Sequence, residues 1–177
     1  MLMKESEAKQ AAIEGFSELS PIEMEWNLVH CRCMIRAIED LAAASGKNVD
    51  ISKLSALAWV HDIGKTNGDE GHEKSSLSIL GKRFKLDDTD RDCIINHGSK
   101  EKPSTPEGEL FREADGLSLF YPEAVAYRFY AEAKEGASYE EIKKKMAKIY
   151  HKYTEAYSDS PRALKIMRER HLMTFCD

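Results

Sequence analysis

At 177 residues and 42% hydrophobic content, the chain has enough apolar side chains for one domain whose core needs no disulfide staple. A formal net charge of −5 runs against a protein whose main work is gripping the phosphate backbone of long nucleic acids, whereas a small phosphorylated ligand needs only a local basic patch. The four cysteines, Cys31, Cys33, Cys93 and Cys176, form no Cys-x-x-Cys pair, and there is no charged-then-apolar leader and no apolar run approaching about 18 residues, so reduced thiols, a cytoplasmic location and no membrane span are expected.

Helical periodicity dominates and the five prolines fall at segment boundaries, so the expected fold is all-α. Residues 4–19 form a charged first helix with a thin apolar stripe, Ala11, Ala12, Phe16 and Leu19, suited to an outer position. Ser20 caps the next helix and Pro21 occupies its first turn. That helix, 21–44, carries Ile22, Trp26, Val29, Cys33, Ala37 and Leu41 along one face, and His30 lies on the same face. Gly46 ends it.

Asp50 or Ser52 can cap a third helix that is apolar all round and therefore central. It runs into Ala58-Trp59-Val60-His61-Asp62-Ile63-Gly64-Lys65, with Gly64 as its stop and a polar loop over 66–71. A short helix over 72–83 places His72 beside small residues. Another over 87–96 sets Cys93 one turn before His97, and 98–106 is a loop. Residues 107–119 form a helix in which Asp115 is flanked by apolar neighbours. Helices over 122–135, 138–157 and 161–175 follow, rich in Tyr, Met, Lys and Arg. With no repeat or linker in view, residues 1–177 are expected to form one domain, with a motif-bearing core over about 21–120 and the helices of 121–177 packed on it.

A His-Asp doublet inside an apolar run needs a reason, because buried ionisable groups are costly unless paired, hydrogen-bonded or metal-bound. The inward-pointing polar residues are His30, His61, Asp62, His72, His97 and Asp115. Imidazole and carboxylate donors converging from separate helices suit a borderline divalent ion such as Mn, Fe, Co, Ni or Zn, held inside a bundle. For any one of these histidines alone, the bland alternative is a hydrogen-bonded core residue.

The ordered set resembles the HD-domain superfamily of metal-dependent phosphohydrolases, whose signature is a lone His, a His-Asp doublet and a distant Asp. Here it reads His30, then His61-Asp62-Ile63-Gly64-Lys65, then Asp115 within Glu113-Ala114-Asp115-Gly116-Leu117-Ser118, covering most of 26–119. The resemblance implies that His30, His61, Asp62 and Asp115 hold a first metal. His72 and His97 would complete a second with Asp62 bridging, or in a one-metal member would contact phosphate. No Gly-Tyr-Pro follows His97, which disfavours the cyclic-di-GMP phosphodiesterase branch.

The resemblance further implies hydrolysis by metal-activated water. Asp62 would orient or deprotonate that water, and Lys65 would offset charge on the phosphoryl oxygens. Lys100, Lys102 and Arg112 are lesser phosphate candidates because they flank His97 and Asp115. The expected partner is a small phosphorylated substrate, a nucleotide above all, with no long nucleic acid and no membrane. The alternative is a non-catalytic HD module that binds metal and a phosphorylated ligand as a sensor or interaction domain.

Other features read as structural. His151 and His171 sit in basic, surface-like helices. Lys143-Lys144-Lys145 with Lys148 and Lys152 forms a solvated face, and the tyrosines around it, Tyr127 and Tyr130 included, read as packing. Cys31 and Cys33, two apart, cannot face the same site.

Overall fold

The computed structural model describes residues 3–46, 48–68, 70–98 and 102–170. Among these there is no strand, and nine α-helices follow in order: α1 (Glu5–Phe16), α2 (Pro21–Ser45), α3 (Ile51–Val60), α4 (His72–Gly81), α5 (Asp88–Asn96), α6 (Pro106–Ser118), α7 (Pro122–Lys134), α8 (Tyr139–Ala156) and α9 (Pro161–Arg170). The all-α expectation holds. No helix among the described residues is long and apolar enough to cross a membrane.

Local chemistry sets most of the boundaries. Ser20, Asp87 and Ser138 each accept from the backbone N–H three residues on, while the acid at that third position reaches back to the cap, so two orphan donors are satisfied at once. Asp50 caps α3 by accepting from Lys53 N. Gly46 ends α2 in the left-handed region at φ 61°, where a side chain would be strained.

α2 is the spine of the bundle and packs against α1, α3, α6, α7 and α9. Of the thin stripe, Ala11, Ala12 and Phe16 are buried together with Ala8, at 0–1% exposed, where α1 packs on α3, whereas Leu19 lies beyond the end of α1 and is only partly buried. Small residues let the two backbones approach, while Phe16 fills the gap beyond them, and burying such a side chain contributes about 1.5–3 kcal/mol. The main apolar cluster continues through Leu110, Phe111 and Phe120 to Ala163, Ile166 and Met167 on α9. A small separate cluster, Val125, Ile142 and Met146, joins α7 to α8.

The end of α3 departs from the sequence expectation. The α-helix stops at Val60, and the chain tightens into a 3₁₀ segment, Ile63–Asn67, that takes in Gly64, Lys65 and part of the expected polar loop. Gly64 is therefore not a left-handed stop. Its role is close approach: a Cβ there would lie 2.2 Å from His72 O and 2.5 Å from Ser76 N, and its N–H donates to Ser76 Oγ at 2.9 Å. Only a hydrogen at this position lets the 3₁₀ segment lie on the first turn of α4.

A Gly64→Ala change forces that contact apart against backbone atoms. It should cost at least about 2 kcal/mol, since overpacking of this kind costs about 1–3 kcal/mol even against side chains, and lower the thermal midpoint by roughly 4–8 °C for a chain of this size. Gly46→Ala meets no atom within 4 Å and carries only left-handed strain, of about 1–2 kcal/mol. Thermal unfolding followed by circular dichroism ranks the two; equal midpoints would contradict the packing role of Gly64.

Candidate metal centre

Asp62 is 1% exposed, and four imidazoles surround its carboxylate. Oδ2 lies 3.3 Å from His61 Nε2 and 3.6 Å from His30 Nε2. Oδ1 lies 3.0 Å from His72 Nε2 and 3.5 Å from His97 Nε2. Asp115 joins the first side, with Oδ1 3.1 Å from His30 Nε2 and 3.6 Å from His61 Nε2. His30, His61 and Asp62 form one group and Asp62, His72 and His97 another, sharing one carboxylate, with Asp115 against the first.

The second nitrogen of three rings settles which atom points inward. A backbone carbonyl only accepts, so His61 Nδ1–H donates to Ala58 O at 3.0 Å and His97 Nδ1–H donates to Ile94 O at 2.7 Å. Each ring thereby also satisfies a carbonyl of the last turn of its own helix. Ser118 Oγ donates its proton to Asp115 O at 2.6 Å, so it accepts from His30 Nδ1–H at 2.8 Å. In the neutral form each of these rings has its Nε2 lone pair facing the centre, the tautomer a metal ligand needs. Nε2 atoms then meet in pairs, His30 with His61 and His72 with His97, each at 3.2 Å. Two lone pairs at that distance repel unless a cation or a proton lies between them.

The protonation balance agrees. Burial opposes charge on His61, but Asp62 beside it and the hydrogen bonds of Asp115 and Asp62 outweigh that and push the imidazole up to about 10. For His30, burial wins over Asp115 and the ring is pushed down. Burial works against ionised Asp62 and Asp115 as well, yet the surrounding imidazoles, with Lys65 for Asp62, hold both carboxyls below the usual range. The proton on His61 stands where a cation would. Asp62 Oδ1 is buried without a hydrogen bond of good geometry, and such an orphaned carboxylate oxygen, facing two imidazoles, fits a divalent ion. His30, His61, Asp62 and Asp115 would hold one, and Asp62, His72 and His97 another.

Two devices hold the ligands in place. Trp26 stacks on His30 with ring centroids 6.3 Å apart, and Phe111 meets His61 edge-on at 5.8 Å. Asp92 accepts from Ser104 N, Thr105 N, Thr105 Oγ1 and Asn96 Nδ2 at 2.6–3.0 Å. Burial opposes its charge, but these bonds bring its carboxyl down to about 2. The end of α5, bearing His97, is thereby tied to the start of α6, bearing Asp115.

A cavity of about 210 Å³ opens on every candidate ligand except His61, and Trp26, Lys65 and Arg128 form part of its wall. Lys65 lines the cavity, and its Nζ lies 2.5 Å from Asp62 Oδ2. Arg112, expected at the phosphate, does not line the cavity; it is a half-buried residue of α6. Lys102 is exposed, and Lys100 lies outside the described residues. Sequence reasoning passed over Ser118 and Arg128. Ser118 stands three residues after Asp115, one helical turn along the same face, and that spacing was a usable signal. Nothing local marks Arg128.

Because metal-free His61 holds its proton up to about 10 while ligation needs the bare Nε2, ion binding at pH 7 should expel a proton. Apparent affinity should therefore rise with pH, about tenfold per unit for one proton, and level off near 10. Calorimetric titration with Mn²⁺ in buffers of different ionisation enthalpy reads this directly, and a buffer-independent heat would contradict it. Ser118→Ala removes the partner that orients His30 and should weaken ion binding about 10–100-fold, measured by competition with a metal-sensitive dye.

Comparison with known proteins places the chain. A family model described as HD domain matches residues 27–119, just over half of the sequence. Over 80 residues, 44% of the chain, it is 38% identical to Ribonuclease Y of Ureaplasma parvum serovar 3, of which the match spans 17%. Over 87 residues, 48% of the chain, it is 36% identical to Ribonuclease Y of Fervidobacterium nodosum, of which the match spans 16%. The chain thus corresponds to a small part of the length of these relatives, and no solved structure matches. On the matched segment and the His and Asp residues it contains, the chain belongs to the HD-domain family of metal-dependent phosphohydrolases.

Proposed function

We propose that this protein is a metal-dependent phosphohydrolase acting on a phosphate ester or anhydride of a nucleotide or similar small metabolite. The observation that carries the reading is the buried Asp62 carboxylate, which faces two imidazoles through each oxygen. When bound, a divalent ion supplies Lewis acidity and lowers the pKa of water from about 15.7 toward about 7. His30, His61, His72, His97 and Asp115 position it. Asp62 stays ionised against burial because the imidazoles and Lys65 surround it, and it can take a hydrogen bond from the attacking water, while Lys65 at its side shares the negative charge at the mouth of the site.

The matches to Ribonuclease Y support a second reading, in which the phosphate is an internucleotide phosphodiester. The net charge of −5 favours a single nucleotide or a short strand over a long duplex. In both readings the metal ligands do the same work, and what differs is the leaving group.

Asp62→Ala or His61→Ala should abolish turnover, by about 10³-fold or more if the whole metal contribution is lost, and release bound metal while the helical circular dichroism signal survives. The assay screens nucleoside monophosphates, dinucleotides and general phosphatase and phosphodiesterase substrates with Mn²⁺, Fe²⁺, Co²⁺, Ni²⁺ and Zn²⁺. Full activity in either variant would reject the site. Tight nucleotide binding without turnover in every metal would support a non-catalytic sensor instead.

A further inference from the structure

Among the described residues, the cavity beside the ligand set holds one guanidinium, and it has no hydrogen-bond acceptor. Arg128 is on α7, beyond the segment that matches the HD family, and lines the cavity with Asp62, His72 and Asp115. Its side chain is only 22% exposed. Trp26 lies under it, with the guanidinium carbon 4.6 Å from the ring centroid. Among the described residues the carboxylate within 4 Å is Glu132, at 3.7 Å from Nη1, too long for a hydrogen bond. Glu132 is itself closely paired with Lys145, so part of its charge is already spent.

A guanidinium carries five N–H donors in a rigid fork, and leaving such donors in a low-dielectric cleft without an oxygen is costly. The face of Trp26 attracts the charge and fixes the group, but supplies no oxygen to the fork. The other cation of the cavity, Lys65, is held on Asp62 at 2.5 Å. A planar, always-charged fork matches the oxygens of a phosphoryl group in a way an ammonium does not.

We propose that Arg128 is a phosphate-binding residue, whose N–H fork takes non-bridging oxygens of the substrate's phosphoryl group while Trp26 fixes its plane and the Glu132–Lys145 pair leaves it net cationic. The proposal rests on the phosphohydrolase reading for the identity of the anion. It makes α7 part of substrate recognition and gives the cleft a phosphate contact that the HD signature does not contain.

Inorganic phosphate is the probe. In Trp59→Phe protein, without added metal, Trp26 is the sole tryptophan, and phosphate held by Arg128 should change its fluorescence. Adding Arg128→Met should weaken phosphate binding about 10–100-fold, as expected for a lost charge-assisted hydrogen bond. Arg128→Lys should recover part of the affinity, and Glu132→Gln should tighten binding by removing a competing carboxylate. Calorimetry on protein with both tryptophans makes the same comparison independently of Trp59. In Mn²⁺-loaded enzyme, Arg128→Met should raise KM for a phosphate ester more than it lowers kcat, with the metal stoichiometry unchanged. Equal phosphate affinity in the parent, Arg128→Met and Glu132→Gln proteins, or no phosphate binding by the parent, would overturn the proposal. If the parent binds phosphate through Arg128 yet turns over no phosphate ester in any metal, the hydrolase reading fails and the anion site stands.

Discussion

The structure depends on keeping one carboxylate charged at the centre of an apolar bundle. Burying an unpaired charge costs several kcal/mol even after relaxation, and Asp62 is 1% exposed. Imidazoles lie on both sides of it, each oxygen facing a different pair. Neutral imidazoles whose Nε2 atoms meet at 3.2 Å cannot stabilise it by themselves. Lys65 meets Oδ2 at 2.5 Å, and positive charge between the rings, from a proton on His61 or from a metal ion, completes the arrangement.

That requirement explains where the ligands sit in the fold. His61 and His97 both lie at helix C-caps, where Nδ1–H meets a carbonyl the helix leaves unsatisfied. One hydrogen bond thus finishes the helix and fixes the tautomer. His30 is in the middle of α2, has no free carbonyl to use, and borrows Ser118 from α6. Around these contacts Gly64 allows the 3₁₀ segment to lie on α4, and Asp92 ties the loop between α5 and α6. The site is rigid because the groups that orient it also close the ends of helices.

The helices after Tyr121 are more than a cover. α7 lies against α2, and this contact brings Arg128 over Trp26, which also stacks on His30. α9 is held to α2 by the Arg170–Asp40 pair, with Tyr121 donating to the same carboxylate. Lys145, part of what reads in sequence as a solvated lysine run, meets Glu132 one turn beyond Arg128. A cation at the metal cleft is therefore supported by charges that are remote from it in sequence.

Much of this was legible in the sequence because it rests on short-range rules. The all-α class follows from helical periodicity, and the caps at Ser20 and Asp50 follow from side chains that reach backbone donors three residues away. The six His and Asp residues stood out because charge on an apolar face demands a partner. The 3₁₀ turn at Gly64 was not legible, since its cause is the backbone of α4. Nor was the pairing of Lys65 with Asp62, because helix spacing places Lys65 near the site without saying which oxygen it meets. Arg112 was expected at the phosphate from its nearness to Asp115, one helical turn away on the same helix, but which side chains of that turn line the cavity is decided by the helices packed around it. By itself the sequence determined which residues must share one buried centre; only the tertiary structure decided which nitrogen of His30, His61 and His97 faces inward and that α7 brings Arg128 to the cavity, because those outcomes depend on packing that no local pattern encodes.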